Sequence, residues 1–157
     1  MIYVSCANLS LTKFPVGETK IVFEDFAKDR DIYSIKWYYE SDSEIFTIIA
    51  LKDYIDSLEP KARVNLCVPY LPYARMDRTD KEAFTLKTFA KLINQCGFAK
   101  VKVQDIHSNV SLALIDRVEN KNWTLDSALA YKITSDVVVV YPDATAEKRY
   151  SKEINKP

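Results

Sequence analysis

Apolar and polar positions along this chain fall into short runs whose period changes several times. Ile2 to Cys6 is β-branched and aromatic, the composition of a strand, and it stops at the turn-prone Asn8. Lys13 to Glu18 contains Pro15 and Gly17 and reads as a loop. Lys20 to Phe23 and Asp31 to Tyr39 are two further strands, the second alternating Ile32, Ser34 and Lys36 against Tyr33, Ile35 and Trp37. The charged Glu24 to Arg30 between them reads as a turn.

From Ser41 the period lengthens. Ser41-Asp42-Ser43-Glu44 supplies capping side chains and an acid for the positive end of a helix dipole. Ile45, Ile48, Ile49, Lys52, Ile55 and Leu58 continue as a stripe of helical period until Pro60 stops it. Val64 to Val68 is near-continuously apolar, as expected of a central strand covered on both faces. Phe84, Leu86, Phe89, Leu92 and Ile93 then predict a helix to Cys96, ended by Gly97. A strand from Lys100 to Gln104 follows, and Ser108 and Asn109 cap a helix from Val110 to Val118. A shorter helix is predicted from Thr124 to Tyr131, a valine-rich strand from Asp136 to Tyr141, and helix again from Thr145.

Alternating strands and helices predict an open, mainly parallel α/β sheet with helices on both faces. Such sheets place ligands outside the carboxyl ends of their strands. Two polar clusters emerge there, one after Val64–Val68 and one after the strand ending at Gln104.

Composition narrows the chemistry. The chain has 157 residues, 48% of them apolar, enough to bury a core. Lysine plus arginine equals aspartate plus glutamate at 22 each, so no global field draws nucleic acid or an anionic membrane. Cys6, Cys67 and Cys96 lie far apart in apolar patterns and read as buried thiols of a reducing compartment. No signal-peptide pattern and no run of about 18 apolar residues is present, so a cytoplasmic protein is expected. Gly17 and Gly97 are the only glycines, which excludes glycine-rich phosphate cradles.

Three groups of residues could carry chemistry. His107, the only histidine, stands just past an apolar strand and two residues after Asp105. It reads either as a structural histidine or as a metal ligand, since magnesium held by phosphate oxygens needs only one or two protein groups. Asp143, after the valine strand and Pro142, reads either as the cap of the following helix or as a metal ligand. Arg75, Asp77 and Arg78 fill a Pro-bounded loop. They form either a solvated ion cluster or a polyphosphate site in which the carboxylate orients a guanidinium.

Pro69-Tyr70-Leu71-Pro72-Tyr73-Ala74-Arg75-Met76-Asp77-Arg78 resembles the PYxxYARQDR motif of ribose-phosphate pyrophosphokinases, the PRPP synthetases. Val103 to Ser108 is similar to that family's VDLHA motif, and Val140 to Arg149 to its VSPDxGAxKR. Phe14 to Glu18 falls where the family has an FxDGE loop. The resemblance implies a phosphoribosyltransferase-like fold and transfer of the β,γ-diphosphate of ATP to ribose 5-phosphate with magnesium. It implies ATP contacts at Arg75, Asp77 and His107, and magnesium at His107 and Asp143. Phe14 and Glu18 would receive adenine from a neighbouring subunit, so a homo-oligomer is implied. Residues 1–135 would form the ATP and magnesium domain. Residues 136–157 would begin a second phosphoribosyltransferase-like domain or close the first.

Met76, Val16, Ile106 and Thr145 depart from the family pattern, and the loops that bind ribose 5-phosphate in its second half are not found here. The chain is therefore expected to be an amino-terminal portion, inactive alone. The alternative is a non-catalytic assembly module like the silent associated proteins of that family.

Overall fold

The computed structural model describes residues 1–78, 80–121, 140–141 and 144–154. The chain divides into two units, Met1–Lys121 and Asn122–Pro157. The first carries strands β1 (Ile2–Val4), β2 (Ala7–Lys13), β3 (Thr19–Phe26), β4 (Ile32–Trp37), β5 (Arg63–Cys67), β6 (Lys100–Gln104) and β7 (Val118–Lys121). Helices α1 (Ser43–Leu58), α2 (Thr85–Gln95) and α3 (Asn109–Leu114) connect the last four. Of the second unit, helix α4 (Ala144–Ile154) is described, as expected from Thr145 onward. The predictions for 124–131 and 136–139 lie outside the described residues, as does Asp143.

One mixed sheet has the order β1-β4-β5-β6-β7, with β4 to β7 parallel and β1 antiparallel at the edge. Register aligns Ile35 with Leu66, Leu66 with Val101, and Val101 with Val118. Because side chains alternate across a strand, these residues share one face. Tyr33, Ile35, Trp37, Val64, Leu66, Val101 and Val103 on that face are buried. Ile48, Leu51 and Ile55 of α1 join the same core, with Leu86, Phe89, Ala90 and Ile93 of α2. Each successive crossover steps the same way across the sheet, so right-handed connections place these helices on one side. Burying each of the large side chains contributes about 1.5–3 kcal/mol. The opposite face presents Lys36, Cys67, Lys102 and Glu119 in one row, of which the lysines and the glutamate are exposed.

β2 and β3 form a separate antiparallel hairpin. The residues predicted to turn at Asn8 are instead a strand: the Asn8 amide donates to Asp25 at 3.0 Å, and a bulge between Asn8 and Leu9 absorbs the misfit. The turn comes earlier, at Cys6, whose φ is 63°. β3 likewise runs through Glu24 to Phe26, which were expected in a turn. The thiols are less hidden than predicted: Cys6 is exposed, and Cys67 and Cys96 are half-buried. Cys67 ends β5 on the polar face, which explains its partial exposure; burial still pushes its thiol above the usual range. No helix among the described residues is long and apolar enough to cross a membrane.

Candidate functional site

β5 and β6 are neighbours and run parallel, so the segments that leave them emerge side by side. The Val68 N–H donates to the Lys102 carbonyl at 2.9 Å, and the Gln104 N–H donates to the Pro69 carbonyl at 3.1 Å. Pro69 has no N–H to return, so the ladder ends and the chain departs. Leu71 and Ala74 are buried and tie the departing loop down. Overlapping that stretch, the Met76 N–H closes a turn on the Tyr73 carbonyl at 2.8 Å. Arg75 and Met76 are consequently exposed. The Asp77 side chain is only 12% exposed, while Arg78 is 93% exposed and its Nε lies 3.9 Å from Asp77 Oδ1. Such a long, solvated pair adds little stability.

The loop is anchored by aromatic residues that its charges do not reveal. Tyr73, at φ 61°, lays its ring 5.6 Å from that of Phe89 and donates its hydroxyl to Asp42 Oδ1. Tyr39 donates to the same carboxylate oxygen at 2.5 Å, and its ring lies 6.5 Å from Tyr70. The bond from Tyr39, then that from Tyr73, holds the Asp42 carboxyl below its usual range. In return the carboxylate pushes both phenols up. Trp37 packs against Tyr39 and donates its indole N–H to Glu44 at 3.0 Å. Burial pushes Glu44 up, but bonds from Trp37, the Glu40 N–H, the terminal amine and the Ser41 N–H outweigh it and hold the carboxyl low.

At the end of β6, Asp105 turns the chain at φ 49°, and its N–H donates to the Lys121 carbonyl at 3.1 Å. The Ile106 N–H donates to Asn120 Oδ1 at 3.2 Å, its side chain is buried, and His107 emerges exposed. The hydroxyls of Ser108 and Ser111, just beyond, are buried without a hydrogen-bond partner among the described residues.

Phe14 and Glu18 meet elsewhere, at the tip of the β2–β3 hairpin. The Phe14 N–H donates to the Glu18 carbonyl at 2.9 Å, and the Gly17 N–H closes on Phe14 at 2.8 Å. Gly17 has φ 96°, a conformation other residues rarely adopt. Of the residues singled out in the sequence, Arg75, Asp77 and His107 thus lie on adjoining loops at the carboxyl ends of two neighbouring interior strands. Phe14 and Glu18 share a separate tip, and Asp143 lies outside the described residues. Among the described residues no group of three His, Cys, Asp or Glu side chains is arranged to hold a metal ion. The sequence reading missed Tyr39, Asp42 as an acceptor, and Tyr73; two tyrosines flanking Pro72 in a polar loop were the available signal.

Residues 1–97 match the family described as the N-terminal domain of ribose phosphate pyrophosphokinase. The chloroplastic ribose-phosphate pyrophosphokinase 2 of Oryza sativa is 28% identical over 148 residues, 89% of this chain and 37% of that protein. The ribose-phosphate pyrophosphokinase of Fusobacterium nucleatum is 28% identical over 155 residues, 93% of this chain and 48% of its own length. The chain therefore spans less than half of either relative. The crystal structure of phosphoribosylpyrophosphate synthetase from Mycobacterium smegmatis superimposes with a TM-score of 0.61 at 18% identity. It covers 73% of this chain and 39% of its own, a likeness of fold. With 97 of its 157 residues matched in one continuous stretch, the chain belongs to the family of ribose phosphate pyrophosphokinase N-terminal domains.

Proposed function

We propose that this chain supplies the ATP and magnesium contacts of a ribose-phosphate diphosphokinase, which converts ATP and ribose 5-phosphate to PRPP and AMP. The observation that carries this reading is the Gln104 to Pro69 bond. It joins the bases of the loops bearing Arg75, Asp77 and His107 at the carboxyl ends of β5 and β6, the side on which open α/β sheets place ligands. In the reaction the sugar 1-hydroxyl oxygen bonds the β-phosphorus as the bridge to the α-phosphate breaks. AMP leaves with the bridging oxygen, and the hydroxyl proton passes to solvent. Displacement at phosphorus needs positioning and charge neutralisation more than a protein nucleophile. Arg75 neutralises phosphate charge, Asp77 orients nucleotide or guanidinium, and His107 serves as the catalytic group beside the phosphates.

The exposed His107 suits a magnesium ion carried mainly by phosphate oxygens, which needs only one or two protein groups, and the described residues hold no closed cage. His107 and Asp143 would hold it, directly or through water, and it would supply charge neutralisation across the triphosphate. Phe14 and Glu18, paired at the tip of a separate hairpin, suit adenine bound by a neighbouring copy in a homo-oligomer of the cytoplasm. The 157 residues contain no glycine- and threonine-rich acidic loop for ribose 5-phosphate, so the chain alone is inactive.

A silent assembly module is the second reading, favoured by Val16. Where the family's loop carries an aspartate, this apolar side chain stands 81% exposed at the hairpin tip.

Calorimetric titration of a non-hydrolysable ATP analogue separates the two. Magnesium-dependent binding weakened about tenfold, or about 1.4 kcal/mol, in His107→Ala supports the enzyme part. Absence of binding by folded wild type supports the silent module. PRPP formed by the chain alone would overturn the stated inactivity.

A further inference from the structure

We infer that Asp42, acting through Tyr73, is a positioning residue for the arginine-bearing loop after β5. Its effect on nucleotide rests on the proposed function; its effect on the loop does not.

Asp42 immediately precedes α1, where an aspartate ordinarily accepts an N–H of the first helical turn. It makes no such cap bond. Its carboxylate is committed instead to two phenols, Tyr39 three residues earlier and Tyr73 thirty-one residues later. The long-range bond is the informative one, because it ties the helix start to the loop. Tyr73 is held at two points, its ring against Phe89 and its hydroxyl on Asp42. Its backbone sits at φ 61°, a region that L side chains adopt only when the surroundings enforce it. The turn that presents Arg75 hangs on that backbone, since the Met76 N–H bonds the Tyr73 carbonyl. Arg75 lies two residues on, within about 7 Å along the chain. The guanidinium is itself exposed, so its location depends on the chain that carries it. Hydrogen bonds to an ionised acceptor are among the stronger ones, and the Tyr39 bond holds the orientation of the same carboxylate.

The test uses the whole 157-residue chain with Tyr73→Phe, Asp42→Asn and the double substitution. Tyr73→Phe removes one oxygen and keeps the ring. Asp42→Asn is isosteric and removes no cap bond, since Asp42 makes none, so both should melt close to wild type. Tryptic cleavage after Arg75 and Arg78, under native conditions, reads the loop directly. Tyr73→Phe is expected to be cut about five- to tenfold faster and Asp42→Asn less so, because its amide oxygen still accepts a weaker, uncharged bond; the double is cut no faster than Tyr73→Phe, since the Tyr73 hydroxyl is absent from both. Cleavage of Tyr73→Phe at the wild-type rate overturns the inference, as does acceleration matched by an equal loss of global stability.

Affinity for an ATP analogue with magnesium is measured on the same samples. Loss of binding in Arg75→Ala, with Tyr73→Phe and Asp42→Asn weakened several-fold, supports the full chain of effects. If wild type binds no nucleotide while both variants still open the loop, the proposed function fails and the positioning role stands. If wild type binds, Arg75→Ala does not, and Tyr73→Phe matches wild type in both assays, the positioning role fails alone.

Discussion

Asp42 shows how one oxygen atom can serve two parts of a chain. Because its folded pKa is depressed below the ordinary 3.8, its bonds are intact above that value and are lost as pH falls through the lower folded value. Tyr39 and Tyr73 are raised above 10.0, so their donated protons persist below that pH and are lost as it rises through their folded values. The tyrosine–aspartate cluster is therefore whole between these limits. Tyr33 also ionises late, but its burial is the leading cause. Alkaline titration of tyrosinate absorbance should show these late phenols. Asp42→Asn should return Tyr39 and Tyr73 toward 10.0 and leave Tyr33 late; no change on that substitution would contradict the shared acceptor.

At the scale of elements, what the sequence made legible was periodic. The alternation of Tyr33, Ile35 and Trp37 is β4, the stripe through Ile48 and Ile55 is α1, and Gly97, at φ 65°, does follow α2. Arg75, Asp77 and His107 were legible as residues beyond strand ends because apolar strands give out ahead of the loops that carry them. What stayed hidden was set by distant partners. The helix expected from Val110 to Val118 stops at Leu114 because a side chain of α2 intercepts it. The Asn94 amide donates to the Leu114 carbonyl at 2.9 Å and accepts the Asp116 N–H at 2.9 Å. Freed from the helix, Val118 to Lys121 becomes β7. Asn94→Ala leaves the part-buried Leu114 carbonyl without its donor, while the exposed Asp116 N–H turns to water, and chemical denaturation should show a loss of about 1 kcal/mol. β2 was hidden for a related reason, since a turn-former is tolerated where a cross-strand carboxylate and a bulge receive it. Tyr73 and Asp42 are 31 residues apart, beyond any local pattern.

For the whole molecule, the sheet concentrates stability on one face. Leu66 sits in the middle strand, fully buried and aligned with both Ile35 and Val101. Leu66→Ala should cost about 2–5 kcal/mol in equilibrium unfolding, more than any surface change along the row of Lys36, Lys102 and Glu119.

The rung from Gln104 to Pro69 carries a further consequence. Strands slip past one another only in whole steps, and two residues of slippage, the least that keeps each side chain on its own face, shifts a strand by about 6.6 Å. The spacing between the guanidinium-bearing and imidazole-bearing segments is thus discrete at its root. Above that root the loop backbone and the side chains can still adjust, so under the proposed function Arg75→Lys or His107→Gln alters reach while the strand register beneath both stays where the sheet put it.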